Sequence, residues 1–162
     1  MNIFVTSTSP ERSARALDDR RLIKMAVESG QLLSTALWLR KVPAPYRPTH
    51  VHHPAASWTG ATRGNFLWVL NHLRALTTEY AWRFGRTHAT SRLVPLLQRA
   101  AVHVPKGRRQ PFVNLSGFPR VAPTTEAYRR GLRRKWQSGP YPPRWTRRSP
   151  PRWARDALKP PA

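Results

Sequence analysis

The chain has 162 residues and carries 29 Lys and Arg against seven Asp and Glu, a formal net charge of +22. That length suits one domain with a real hydrophobic core, and so large a cationic excess is the electrostatic footprint of a partner that is a polyanion. The absence of cysteine excludes a disulfide framework and a thiolate metal site, no apolar run is long enough for a membrane span, and the opening residues lack a signal-peptide pattern, so the expected setting is cytoplasmic, in a bacterium or a phage-infected host.

Ile3, Phe4 and Val5 form a short apolar segment that reads as extended. Ser9-Pro10-Glu11 is a helix start, with Ser at the N-cap, Pro at the first helical position and an acid in the first turn. From Asp18 to about Leu39, Leu22, Ile23, Ala26, Val27, Gly30, Leu33 and Leu37 recur at three and four, the period of an amphipathic helix. Lys41 to Pro54 holds Pro43, Pro45, Pro48 and Pro54 and reads as a loop. A second long helix is predicted from about Asn65 to Phe84, closed by Gly85. A shorter one follows from about Ser91 to Ala101, with Pro95 in its first turn. Residues 106–123 read as irregular. Thr124 or Thr125 is the expected cap of a helix from Glu126 to about Gln137.

From Lys106 onward there are 15 Lys and Arg, two acids and ten of the 17 prolines. The sequence therefore predicts an all-α fold: a compact helical domain over residues 1–137, then an irregular, basic, Pro- and aromatic-rich extension over 138–162. Tyr141, Trp145 and Trp153 interleave with Arg144, Arg147, Arg148 and Arg152. Such a segment suits packing on the core or lying along a nucleic-acid backbone, where phosphates take the Arg and rings pack or stack. A disordered tail is the alternative.

With seven acids, candidates for acid/base work are few: Glu11, Asp18, Asp19, Glu28, Glu79, Glu126 and Asp156. Glu11 and Glu126 sit in first turns and complement helix dipoles, Asp18 and Asp19 suit capping, and Asp156 is in the tail. Glu79, with Arg83 one turn on, reads as a structural ion pair. Glu28 shares a helix face with Arg20, Lys24 and Gln31. Two readings stay open: an exposed Lys–Glu pair, or a lone carboxylate in a cationic strip. A phosphate-binding face avoids a carboxylate unless it has a chemical task, such as shuttling protons or stabilising positive charge at a sugar carbon.

His50, His52 and His53 cluster in the Pro-rich loop, with His72, His88 and His103 elsewhere. No cysteine or nearby carboxylate completes a ligand set around them, so no metal site is expected. His50 and His53 suit donation to phosphate. No Gly-rich phosphate loop, nucleophile elbow or deaminase signature occurs, so no cofactor and no bound nucleotide is expected.

Leu17-Asp18, Leu22-Ile23, Glu28 with Gln31-Leu32-Leu33, Tyr46-Arg47, His53-Pro54 and a long helix ending Glu79-Tyr80, Arg83-Phe84-Gly85 occur in that order. The set resembles the pyrimidine-dimer DNA glycosylase family, of the phage endonuclease V type, over about residues 1–90. Trp145-Thr146-Arg147-Arg148 and Pro151-Arg152-Trp153 are similar to the aromatic, basic C-terminal segment of such enzymes. The resemblance implies an N-terminus threaded between helices and a glycosylase/AP lyase acting on double-stranded DNA as a monomer. Its nucleophile is the chain's α-amine, on Met1 or, after Met removal, on Asn2, and its catalytic carboxylate maps onto Glu28. Lys24 is a second candidate imine former. The family's Arg before the catalytic Glu is Val27 here, and the Arg beyond it is Gln31 or Leu32. Phosphate contacts then fall to Arg20, Arg21, Gln31, Arg47, His50, His53, Arg63, Arg144, Arg147, Arg148 and Arg152. The rival from another class is a non-enzymatic nucleic-acid-binding module, nucleoid-like or regulatory.

Overall fold

A computed structural model describes residues 1–155 and Leu158. Among the described residues there is no strand, and the all-α class is observed. The helices are α1 (Pro10–Ala16), α2 (Asp19–Trp38), α3 (Pro54–Ala61), α4 (Arg63–Phe84), α5 (Val94–Ala100) and α6 (Thr124–Gln137). Short 3-10 turns cover Ala89–Leu93, Ala101–His103 and Arg152–Ala154. None of the helices is long and apolar enough to cross a membrane.

Local chemistry explains the ends. Ser9 Oγ accepts from Arg12 N–H at 3.2 Å and Pro10 supplies the preset φ. Asp18 caps α2, accepting from Arg21 N–H at 3.2 Å. Gly85 ends α4 at φ 67, in the left-handed region where the absence of a Cβ removes the steric penalty.

Helix α4 is the axis of the core. It packs against α1, α2 and α3, burying Phe66, Val69, Leu70, Leu73 and Leu76 against Leu22, Leu33 and Leu37 of α2. Ile3, Phe4 and Val5 are buried in the same core without pairing as a strand; Asn2 replaces a partner strand by accepting from Ile3 N–H at 2.7 Å and Phe4 N–H at 2.9 Å through Oδ1. That side-chain turn holds Phe4 at φ 40.

Several boundaries differ from the sequence reading. Pro54 begins α3 rather than closing a loop: the His53 ring accepts from Ala55 N–H at 3.1 Å through Nδ1, and Pro54 takes the first turn. The expected helix over 91–101 is a 3-10 turn followed by α5, because Pro95 sits in the first turn of α5 and cannot continue an earlier helix. Helix α6 begins at Thr124 with Pro123 at its N-cap, so neither Thr124 nor Thr125 is the cap.

The described part of the extension packs on the core. Arg144 O accepts from Asp19 N–H at 2.8 Å, and Thr146 donates to the Asp19 carboxylate from its N–H at 3.1 Å and its hydroxyl at 2.8 Å. Trp145 Nε1–H reaches Ala16 O at 3.2 Å. Trp153 stacks on Trp136 with centroids 5.6 Å apart. Asp156 lies outside the described residues.

Candidate active site and nucleic-acid interface

The site grows from the start of α2. Arg20, Arg21, Lys24 and Glu28 lie along successive turns and, with Met1, Asn2, Lys135 and the 139–143 segment, line a cleft of about 650 Å³. Glu28 is 9% exposed, which rules out the open-face reading of its pairing with Lys24. Its two oxygens are divided. Oε2 accepts the backbone N–H of Asn2 at 2.8 Å, 26 residues away in sequence. Oε1 faces Lys24 Nζ at 3.4 Å, and Lys24 itself is mostly exposed.

Asn2 is held at its backbone nitrogen and at both polar atoms of its side chain. Besides the turn it makes with Ile3 and Phe4, its Nδ2 donates to Leu115 O at 3.2 Å. The 113–115 backbone is fixed in turn by Tyr128, whose hydroxyl donates to Val113 O at 2.8 Å and accepts from Leu115 N–H at 3.2 Å. Burial pushes the Tyr128 phenol above its ordinary value, so it stays a neutral hydroxyl. The nitrogen of residue 2 is thus a fixed point of the structure, set against the carboxylate from below and held by α6 from the side.

The remaining acids are spent elsewhere. Asp18 takes the Arg21 guanidinium and the Trp136 indole N–H, each at 2.7 Å. Arg83 is completely buried and donates to Glu79 at 2.9 Å, Asp19 at 3.0 Å and the carbonyls of Leu17 and Arg15. Glu79 is also held by Arg148, whose Nη2 lies 2.8 Å from its second oxygen. Glu11 accepts from Ser9 Oγ at 2.6 Å, and Glu126 meets Arg129, Arg130 and Arg133. Hydrogen bonding from Ser9 lowers the Glu11 pKa. Glu126 is also lowered: burial opposes the shift, but hydrogen bonds and charge from Arg133 and Arg130 together prevail.

The predicted phosphate contacts separate into groups. Arg20 is exposed at the cleft, its guanidinium 4.3 Å from the Tyr141 ring centroid, while Arg21 is half-buried on Asp18. Gln31 is half-buried and does not line the cleft. Arg47 and His50 are exposed on the α2–α3 loop. The pKa of the His53 imidazole is lowered chiefly by burial and further by the positive charges of the chain's amino terminus and His50, opposed by Glu28; His53 does not line the cleft. Since Nδ1 accepts from Ala55 N–H, the neutral ring carries its hydrogen on Nε2. Arg63 is committed to the carbonyls of Val102, at 2.7 Å, and Val104, so its guanidinium is structural and the phosphate role expected of it is set aside. Arg144 is exposed beside Arg20 and Tyr141. Arg147, Arg148 and Arg152 line a different hollow. Among the described residues, no three His, Asp or Glu side chains are grouped to hold a metal ion. Lys135, on α6, is a cleft residue that periodicity and charge counting did not pick out, and Tyr141, read from the sequence only as one aromatic of the extension, reaches the cleft with the 139–143 segment.

No family model, curated protein or solved structure matches this chain.

Proposed function

We propose that the protein is a DNA glycosylase with AP-lyase activity, acting as a monomer on damaged or modified pyrimidines, pyrimidine dimers first among them, in double-stranded DNA. The observation that carries this reading is the 2.8 Å hydrogen bond from the nitrogen of residue 2 to the nearly buried Glu28 carboxylate, inside a cleft that Arg20, Arg21, Lys24 and Lys135 also line. A terminal amine at that nitrogen, once Met1 is removed, lies where it can attack a sugar carbon. α-Amines as a class titrate nearer neutrality than lysine, which favours an unprotonated nucleophile.

In this mechanism the amine lone pair forms a bond to C1′ of an extruded nucleotide. The C1′–N glycosidic bond breaks and its electrons leave on the base, which takes up a proton. Glu28 takes the proton that the amine loses and delivers it to O4′ as C1′–O4′ opens, which leaves a cationic imine and returns Glu28 to its carboxylate form. Glu28 removes a proton from C2′, and the electrons expel the 3′ phosphate as C3′–O3′ breaks. Water then hydrolyses the imine and frees the amine. Arg20, Arg21 and Lys24 hold phosphates, and weak pairing of a damaged base lowers the cost of extrusion.

Borohydride reduction on UV-irradiated duplex tests this directly: the processed chain gives a covalent protein–DNA adduct mapped by mass spectrometry to residue 2. Absence of an adduct from a chain shown by intact mass to lack Met1 removes the lyase. A second reading has its own observation. With Met1 in place the nitrogen on Glu28 is an amide, which is not a nucleophile, and the same cationic cleft then serves a binding module. An adduct on Lys24 alone transfers the chemistry to that side chain.

A further inference from the structure

The N-terminal segment and the extension both leave the Glu28 cleft and enter a second one. Asn2 and Phe4 line the first, Thr6 and Ser7 the second; residues 139–143 wall the first, and 147–153 the second. This second cleft measures about 630 Å³, and no acid among the described residues lines it. Its frame is built by three arginines with internal partners. Arg129 donates to Thr6 O at 3.0 Å, Arg147 to Trp82 O at 3.2 Å, and Arg148 to Glu79. Over that frame stand Arg12, Arg15, Arg152 and Arg155, all exposed, and none of their guanidinium groups is in an ion pair among the described residues. With no acid among the described residues lining the hollow, these like charges repel one another across it unless an anion fills it.

We propose that this cleft is a second phosphodiester-binding site, a clamp on the backbone of the same nucleic acid that enters the Glu28 cleft. Thr6 is four residue steps from Asn2, so the near wall is at most about 14 Å from the reacting nitrogen. At about 3.4 Å of helix axis per phosphate of one strand, the clamp begins within about four nucleotides of the nucleotide in the first cleft. Guanidinium forks suit phosphate oxygens, and with no carboxylate among the described residues of its wall the clamp binds without chemistry. An acidic protein would satisfy the same charge, but the two chain segments that line this hollow run on from a cleft already read as a nucleic-acid site. The inference rests on that reading for its register and for its choice of occupant.

The test uses the full chain and a duplex of about two turns. Salt titrations compare wild type with R12A/R152A and, as an independent pair, R15A/R155A; all four side chains are exposed, and melting curves check folding. Each pair lowers the slope of log K against log salt by about 2, one unit per lost phosphate contact. Wild-type slopes in both pairs overturn the clamp, as does tighter competition for the cleft by polyglutamate than by duplex. A fall in slope without any adduct in wild type keeps the clamp and sinks only the imine chemistry.

Discussion

Glu28→Gln separates chemistry from binding. The substitution keeps an oxygen able to accept from the nitrogen of residue 2, so the 2.8 Å contact survives, and what is lost is the charge. The partner Lys24 is mostly exposed, and such a pair contributes at most about 1 kcal/mol, so the melting temperature moves by no more than a few degrees. The proton transfer assigned to Glu28 is of the kind worth about 10²–10⁴-fold in rate, about 3–5 kcal/mol of barrier. Freed Lys24 becomes available to a phosphate, which steepens the salt slope by about one and tightens binding at low salt. The assay is single-turnover borohydride trapping on UV-irradiated duplex beside a salt titration of binding. Adduct formation within about twofold of wild type, or weaker binding by E28Q, refutes the reasoning, since a merely structural carboxylate leaves trapping untouched.

Three further outcomes follow from buried groups. Glu79→Ala leaves the fully buried Arg83 with Asp19 as its one remaining carboxylate and releases Arg148; removing one partner of a buried pair costs up to about 3–5 kcal/mol, and a loss under about 1 kcal/mol by urea unfolding contradicts the network. His72 is completely buried with neither ring nitrogen partnered, and burial lowers its pKa from 6.5 to about 4. The folded state resists a proton that the unfolded chain accepts, so stability is full above about pH 6.5 and declines as pH falls toward 4; between pH 7.5 and 4.5 the wild type loses roughly 2–3 kcal/mol more than H72F, and parallel pH curves for the two refute it. Trp136→Ala removes the ring between Trp145 and Trp153 and the donor on Asp18; a loss of about 3–5 kcal/mol with increased proteolysis between residues 139 and 153 is expected, and an unchanged protease pattern argues against the extension being held by this stack.

The helical plan was legible because α2 and α4 state it by period, and Ser9, Asp18 and Gly85 mark ends by well-defined chemistry. Helix α3 was not, because its cap is a histidine ring and its sequence, Pro54–Ala61, is small and apolar all round, leaving no amphipathic stripe. Glu28 was legible by elimination, since so basic a chain has few carboxylates to account for. Its proximity to residue 2 entered only through the family resemblance, because a contact across 26 residues depends on how Asn2 folds back on Ile3 and Phe4. Arg63 misled for the opposite reason: as an exposed-type residue at a helix start it resembles a phosphate ligand, yet two carbonyls of the segment after α5 claim it.

The distribution of acids links the fold to the proposed chemistry. Asp18 joins α2 to α6 through Trp136, Asp19 joins α2 to the extension through Thr146, and Glu79 joins α4 to it through Arg148. Asp19 and Glu79 are consumed in holding the cationic extension on the helical core, Asp18 in holding the helix that leads into it, and together they set the outer wall of the cleft at residues 139–143. A chain this basic repels itself, so anchoring the extension needs buried anions. Of the described acids lining that cleft, Asp18 is already neutralised by Arg21. Glu28 alone meets both the nitrogen of residue 2 and the cleft, and its second oxygen has only a mobile-ended, exposed lysine as partner. A carboxylate left with that one weak counterion, beside a nitrogen that removal of Met1 turns into an amine, is placed for proton transfer rather than for holding the fold.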